Sequence, residues 1–352
     1  MADHKQNKAA PLRVHMVCGE DPDSGILGKF AKNLVAGLEK LGMEATLGDA
    51  PDPAAHINHY VIFLHYPGKT TTQTSGKNTL MVTHVDDFQR LDQLKQGLES
   101  ADLAICMSRQ TEAQLTASGL PAEKLTHLPP AHDGNIAPRP TAIGITTRIY
   151  DDGRKKERWI AKLAPLIAPS DFSFRIMGEG WGEIVATLRR DGFQVDYEES
   201  FNAESYRGLL AAIDYYLYLG EDEGSMGFVD ALAAGVKTIV VPQGFHLDVP
   251  GGITYPIESF TDLADAFDDI AEEKARRANA VAGWTWDSYA QQHAAIWRAL
   301  AAGDPRPAPH AEIEGCVSAG SVRWKFLRHS LWRRRQRLKR RLAHLKKRLK
   351  GN

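Results

Sequence analysis

Short apolar runs alternate with amphipathic stretches along residues 12–301. The first run, LRVHMVC (12–18), passes through GEDPDSGILG into a segment with Phe30, Leu34 and Leu38 at spacings of four, closed by Gly42. That step keeps one helix face apolar, so a strand, a glycine loop and a helix (29–42) are predicted. Further apolar runs fall at 60–66, 79–84, 101–108 and 124–129, with a helical pattern at 89–100 between them. PPAHDGNIAPRPT (129–141) breaks the rhythm as a linker. Strands then resume at 142–148, 172–178, 193–197, 215–220 and 237–242, with helices at 156–167, 259–281 and 286–301. Such alternation predicts parallel sheets covered by helices on both faces, in two doubly wound α/β domains facing across a cleft.

Length and composition agree with this. At 352 residues, 25% charged and 43% hydrophobic, the chain has the make-up of a soluble two-domain protein. No apolar run reaches the length of a membrane span. The opening MADHKQNKAA (1–10) lacks the apolar core of a secretory signal and reads as a disordered tail. Three scattered cysteines, Cys18, Cys106 and Cys316, make neither a disulfide framework nor a zinc site. A cytoplasmic location is expected. The net charge of −1 conceals an asymmetry. Residues 321–352 carry 14 bases and no acid, leaving 29 bases against 44 acids in the body.

Three loops could carry chemistry. Gly25 and Gly28 stand before a helix N-terminus, where free amides attract anions; the alternative is a tight turn. In TRIYDDGRKKERW (147–159), Arg148, Arg154, Lys155 and Lys156 suit a diphosphate or form a solvated basic turn. In EDEGSMGFVDALAAG (221–235), Gly224, Ser225 and Met226 present amides near a helix start, and Gly235 ends that helix. Asp222 lies on this loop, with Asp230 expected on the helix's first turn.

In this order, the motifs ADLAICMSRQTEAQLTASGLPAEKLTHLPPAHD, IGITTR…GRKKE, FRIMGEGW, EDEGSMGFVDALAAG and WTWDSYAQQHAAIW resemble the glycosyltransferases of the GT-B fold, most closely the retaining family-4 type. The likeness spans roughly residues 12–300. It implies two Rossmann-like domains: an acceptor domain (11–137), a nucleotide-sugar donor domain (138–283), and a terminal helix (284–302) returning to the first. It also implies transfer of a sugar from a nucleotide-diphosphate donor to a glycan or lipid-linked acceptor, with no cofactor and no metal. Arg148 and Lys155 or Lys156 would stabilise the departing diphosphate, with Arg154 and the glycine loop at Gly178 beside it. Asp230 would hold the ribose hydroxyls. Asp222 or Glu223, with the amides from Gly224 to Met226, would hold the sugar. His84 would stand near the donor sugar and help accept the acceptor's proton. The chain departs from the pattern where Asp230 replaces a glutamate and His132 the crossover glycine. An epimerase of the same fold and an inactive scaffold are the other readings.

Past a linker, residues 303–352 end in a basic helix pattern. Trp324, Leu327, Leu331, Leu338, Leu342, Leu345 and Leu349 make one apolar stripe among Arg and Lys. This describes an interfacial helix drawn to anionic lipid, and so a peripheral protein on the inner membrane face. A coiled-coil partner ranks second and nucleic acid last.

Overall fold

The computed structural model describes residues 11–68 and 75–303, together with Phe326–Arg328, Leu331, Trp332, Arg335 and Lys339 of the tail. The expected N-terminal tail, Cys316 and most of the apolar stripe lie outside these residues. The strands are β1 (Arg13–Val17), β2 (Glu44–Gly48), β3 (Ile57–Tyr60), β4 (Lys77–Val82), β5 (Leu103–Cys106), β6 (Leu125–His127), β7 (Thr141–Thr146), β8 (Phe172–Met177), β9 (Gln194–Glu198), β10 (Tyr215–Tyr218), β11 (Lys237–Val240) and β12 (Tyr255–Pro256). The helices are α1 (Ile26–Lys40), α2 (Phe88–Leu98), α3 (Arg109–Ala117), α4 (Arg158–Leu163), α5 (Gly182–Arg190), α6 (Ala203–Ala212), α7 (Met226–Ala233), α8 (Phe260–Asn279) and α9 (Trp286–Ala302).

The chain divides into two units. Residues 1–135 and 283–352 form the first, and 136–282 the second. Each holds a six-stranded, all-parallel sheet, ordered β2-β1-β3-β4-β5-β6 in one and β12-β11-β10-β7-β8-β9 in the other. Both are doubly wound, Rossmann-like sheets, as the alternation predicts. Strand order reverses between β1 and β3 in the first and between β7 and β10 in the second. Central strands β3, β5 and β10 are buried at every position. A parallel sheet covered on both faces requires this, and it is why β5 and β10 read as unbroken apolar runs.

The apolar run at 60–66 is not one strand. β3 ends at Tyr60, and Phe63–His65 form a 3-10 turn. The strand starts earlier, in INHY, where Asn58 and His59 are buried polar residues that mask its signal. The helix expected at 156–167 is shorter, because Pro165 shifts its end into a 3-10 turn (Ala164–Leu166). Edge strands β2 and β12 and helix α6 had no predicted counterpart. β2 is largely exposed and carries no apolar run.

In the first unit, α9 packs on α1. Phe30 meets Trp286 and Tyr289 edge-on at 5.2 and 5.8 Å, and Lys40 pairs with Asp287 at 2.8 Å. Gly37 permits this approach, since a Cβ there would lie 2.5 Å from the Ala290 Cβ. Gly37→Ala is expected to destabilise the protein by about 1–3 kcal/mol in urea denaturation, with Ala290→Gly recovering much of the loss. α9 also buries His293, whose ring lies 5.6 Å from that of His59 on β3. Cys18 and Cys106 are free and buried, as their apolar surroundings predict.

Candidate active site

The reversal point of the second sheet sets the chemistry. In open α/β sheets, ligands bind past the strand C-termini where the order reverses. Here the loops after β7, β8 and β9 and the start of α7 enclose a cavity of about 480 Å³. Arg148, Gly178, Ser225, Met226 and Asp230 all line it, together with Thr146, Thr147, Glu179, Glu199, Phe201 and Tyr206. β7 stops at Thr146, so Arg148 stands in the loop rather than in the strand expected over 142–148. Its guanidinium is 3.3 Å from Glu179 and 5.2 Å from the Tyr150 ring centre, and its side chain is 57% exposed. That exposure leaves it open to an incoming anion.

Gly178 has φ 141°, and a Cβ there would meet the Thr147 carbonyl oxygen at 2.2 Å. The Trp181 indole donates to the same carbonyl at 2.6 Å. Asp230 lies on the second turn of α7 and not the first, because the helix begins at Met226. Its Oδ2 accepts a hydrogen bond from Tyr206 on α6 at 2.6 Å. Burial, and then this carboxylate, push the Tyr206 phenol up.

The loop leading into α7 is fixed from beneath. The Ser225 amide donates to His246 Nε2 at 2.9 Å, and His246 Nδ1 donates to the Val241 carbonyl at 2.9 Å. A carbonyl can only accept, so Nδ1 carries the proton and Nε2 is the acceptor. Ser225 Oγ, Tyr216 OH and Thr146 Oγ1 continue the network at 2.7 and 3.0 Å. The Gly224 amide donates to Asp222 Oδ1 at 3.2 Å. Two of the three amides expected to meet a sugar are therefore spent within the loop.

A second cluster sits along the same loop but does not line the cavity. Lys155 is buried, with Nζ 2.5 Å from both Asp222 Oδ2 and Tyr218 OH. The Tyr218 hydroxyl donates to Asp222 Oδ1 at 2.6 Å. Burial alone would raise the Asp222 carboxyl. Hydrogen bonds from Lys155, Tyr218 and the Gly224 amide outweigh it and hold the group below the usual carboxylate range. Lys156 instead pairs with Glu221 at 2.6 Å and lies over Trp159. Its φ of 49° is the one left-handed value outside glycine among the described residues. Arg154 pairs with Asp152 at 3.3 Å and covers Tyr150. Glu223 is exposed, so of the two candidate acids it is Asp222 that joins the lysine.

Gly25, Gly28 and His84 belong to the first unit. At the α1 N-terminus, Glu20 Oε2 accepts from the Leu27 amide at 3.3 Å. A Cβ at Gly25 would lie 2.3 Å from that oxygen, and one at Gly28 2.3 Å from the Asp21 carbonyl. These glycines admit a loop that brings its own carboxylate to the helix end. His84 is exposed in the loop after β4. Tyr206, Tyr218 and His246 were not among the expected site residues. Tyr216 and Tyr218, two apart in an apolar strand, carry the readable signal: phenols on one face need polar partners. His246 carries none. Among the described residues no group of three or more His, Cys, Asp or Glu is placed to hold a metal ion.

No protein-family model matches the chain, and no curated relative matches it. Solved structures resemble it distantly. One is Anabaena Alr3699/HepE in complex with UDP and glucose, 13% identical over 81% of this chain and 98% of that one, TM-score 0.35. Another is the lipopolysaccharide outer core galactosyltransferase WaaB, 12% identical over 80% and 98%, TM-score 0.33. A third is AviGT4, a glycosyltransferase involved in avilamycin A biosynthesis, 16% identical over 84% and 100%, TM-score 0.32. At these values the likeness carries no activity across.

Proposed function

We propose that the protein transfers a sugar from a nucleotide-diphosphate donor to a glycan or lipid-linked acceptor with retention at the anomeric carbon. The observation that carries this is the convergence of Arg148 and Asp230 on one cavity at the sheet's reversal point. In the transfer, the bond from the anomeric carbon to the diphosphate oxygen breaks. A bond to the acceptor oxygen forms, and the acceptor's proton leaves. Negative charge builds on the departing diphosphate. Arg148 meets that charge, and a guanidinium already in place at the cavity stabilises it more than reorienting water would. Asp230 accepts the ribose hydroxyls, exchanging its bond to Tyr206 for them. Lys155, paired with Asp222 and bonded to Tyr218, braces the sugar loop from outside the cavity; Lys156 and Arg154 frame it. Glu223 is the carboxylate open to the sugar hydroxyls. His84 takes the acceptor's proton. In this scheme the Arg148 guanidinium does the work of charge neutralisation.

Binding tests the reading. A ligand that binds only the folded state raises the melting temperature by mass action. At least one nucleoside-diphosphate sugar from a panel is expected to raise it, and the free nucleoside to do so less. That donor should then be slowly hydrolysed to free sugar and nucleoside diphosphate. No shift with any donor overturns the proposal, and an isomerised donor moves it to an epimerase.

A further inference from the structure

We infer that the start of the C-terminal basic segment is a membrane-contact surface, seated on the first unit by Phe326 and facing an anionic lipid bilayer. This does not depend on the chemistry of the second unit. Phe326 is 1% exposed. It belongs to the same buried cluster as Val82, Val85 and Leu94, and its ring stands edge-on to Phe88 at 5.7 Å. The segment is therefore fastened to the domain surface at this point.

The other described residues of the segment face away. Phe326, Leu327, Arg328, Leu331, Trp332, Arg335 and Lys339 are all helical. A helix turns about 100° per residue, so in the stretch Phe326–Arg328 the side chains of Leu327 and Arg328 lie about 100° and 200° around from Phe326. Leu331, Trp332, Arg335 and Lys339 are exposed as well. The leucines are 43% and 56% exposed and Trp332 is 54% exposed. Had the apolar stripe served the core, it would share the side of Phe326. Instead the buried contact uses a residue outside the stripe, and the leucines stay uncovered.

Charge decides what covers them. Residues 321–352 hold 14 Lys and Arg and no acid. Nucleic acid would neutralise the bases but leave the leucines wet. A bilayer with anionic headgroups satisfies both, because leucine and tryptophan enter the interface while basic side chains reach the phosphates.

The test uses the full chain and co-sedimentation with phosphatidylcholine vesicles, with and without phosphatidylglycerol. The protein is expected to sediment with the anionic vesicles and stay in solution with pure phosphatidylcholine. Leu327→Glu with Leu331→Glu keeps every base and Phe326, yet is expected to weaken vesicle binding about tenfold or more. Its melting temperature and its response to donor sugars stay at wild-type values, which separates this claim from the catalytic one. Equal vesicle binding by the double variant overturns the proposal. So does an absence of vesicle binding, whether or not the protein binds duplex DNA or self-associates. Phe326→Ala is expected to speed tryptic cleavage within residues 323–340; an unchanged rate removes Phe326 as the seat.

Discussion

Arg148→Ala is expected to lower turnover about 10²–10³-fold while the melting temperature stays at the wild-type value. The two halves of that result have separate causes. The fold is indifferent because the side chain is more than half exposed and its one ion pair, to Glu179, is also exposed. Exposed pairs contribute about 0–1 kcal/mol. Turnover suffers because the guanidinium is the cationic side chain lining the cavity that holds Asp230. The loss should fall mainly on kcat if Arg148 acts on charge that develops during bond breaking. A loss confined to KM would make it a binding residue only. Full activity would remove the phosphate assignment. Arg148→Lys keeps the charge without the bidentate fork and should recover part of the rate.

Acid is expected to destabilise the first unit from within. His59 and His293 are completely buried, and neither Nε2 has a protein hydrogen-bond partner. His293 Nδ1 donates to the Tyr289 carbonyl at 2.9 Å, while His59 Nδ1 bonds Thr79 Oγ1, which also accepts from Trp297 Nε1. Burial pushes His293 down to about 4, against a smaller upward pull from the Tyr289 carbonyl. Burial, and then the neighbouring His293, lower His59 as well. Both shifts favour the neutral ring in the folded state. Their contribution is therefore complete above the unfolded value of 6.5 and falls as pH drops toward 4. For His293 alone this amounts to about 3 kcal/mol over that interval. Urea midpoints measured from about pH 7.5 to about pH 5 should drop steeply, and His293→Gln should flatten the slope. An equal slope in that variant would falsify the assignment.

How far the sequence reveals all this depends on how each residue is held. Fully buried strands such as β5 and β10 are legible because burial on both faces makes them uniformly apolar. β3 is displaced in the reading because Asn58 and His59 are buried in the core, Asn58 on the Asp52 backbone and His59 Nδ1 on Thr79, which no pattern rule anticipates. Both glycine loops are legible as loops, yet their amides are less available than composition suggests. Glu20 closes the α1 terminus, and His246 and Asp222 close the loop before α7. Glu20 and Asp222 sit in the same loops as the amides they close, whereas His246 comes from 21 residues away. Spacing placed Asp222 and Asp230 on one loop-helix unit. It could not show that Asp222 is committed to Lys155 while Asp230 opens into the cavity, since this depends on where α6 and the loop after β7 come to rest.

The order of the two units along the chain bears on how the protein is made. The second unit is one unbroken stretch, 136–282, whereas the first is interrupted by it and completed only by α9. α9 supplies Tyr289, His293 and Trp297 to the interior of a sheet whose strands leave the ribosome well before it. The first sheet is thus translated first and finished last. For the time taken to synthesise about 150 residues, at the usual 5–20 residues per second, it waits with one face open. The later unit can complete its own core in that interval, so a chain truncated before residue 286 should contain a folded second unit and a protease-sensitive first one.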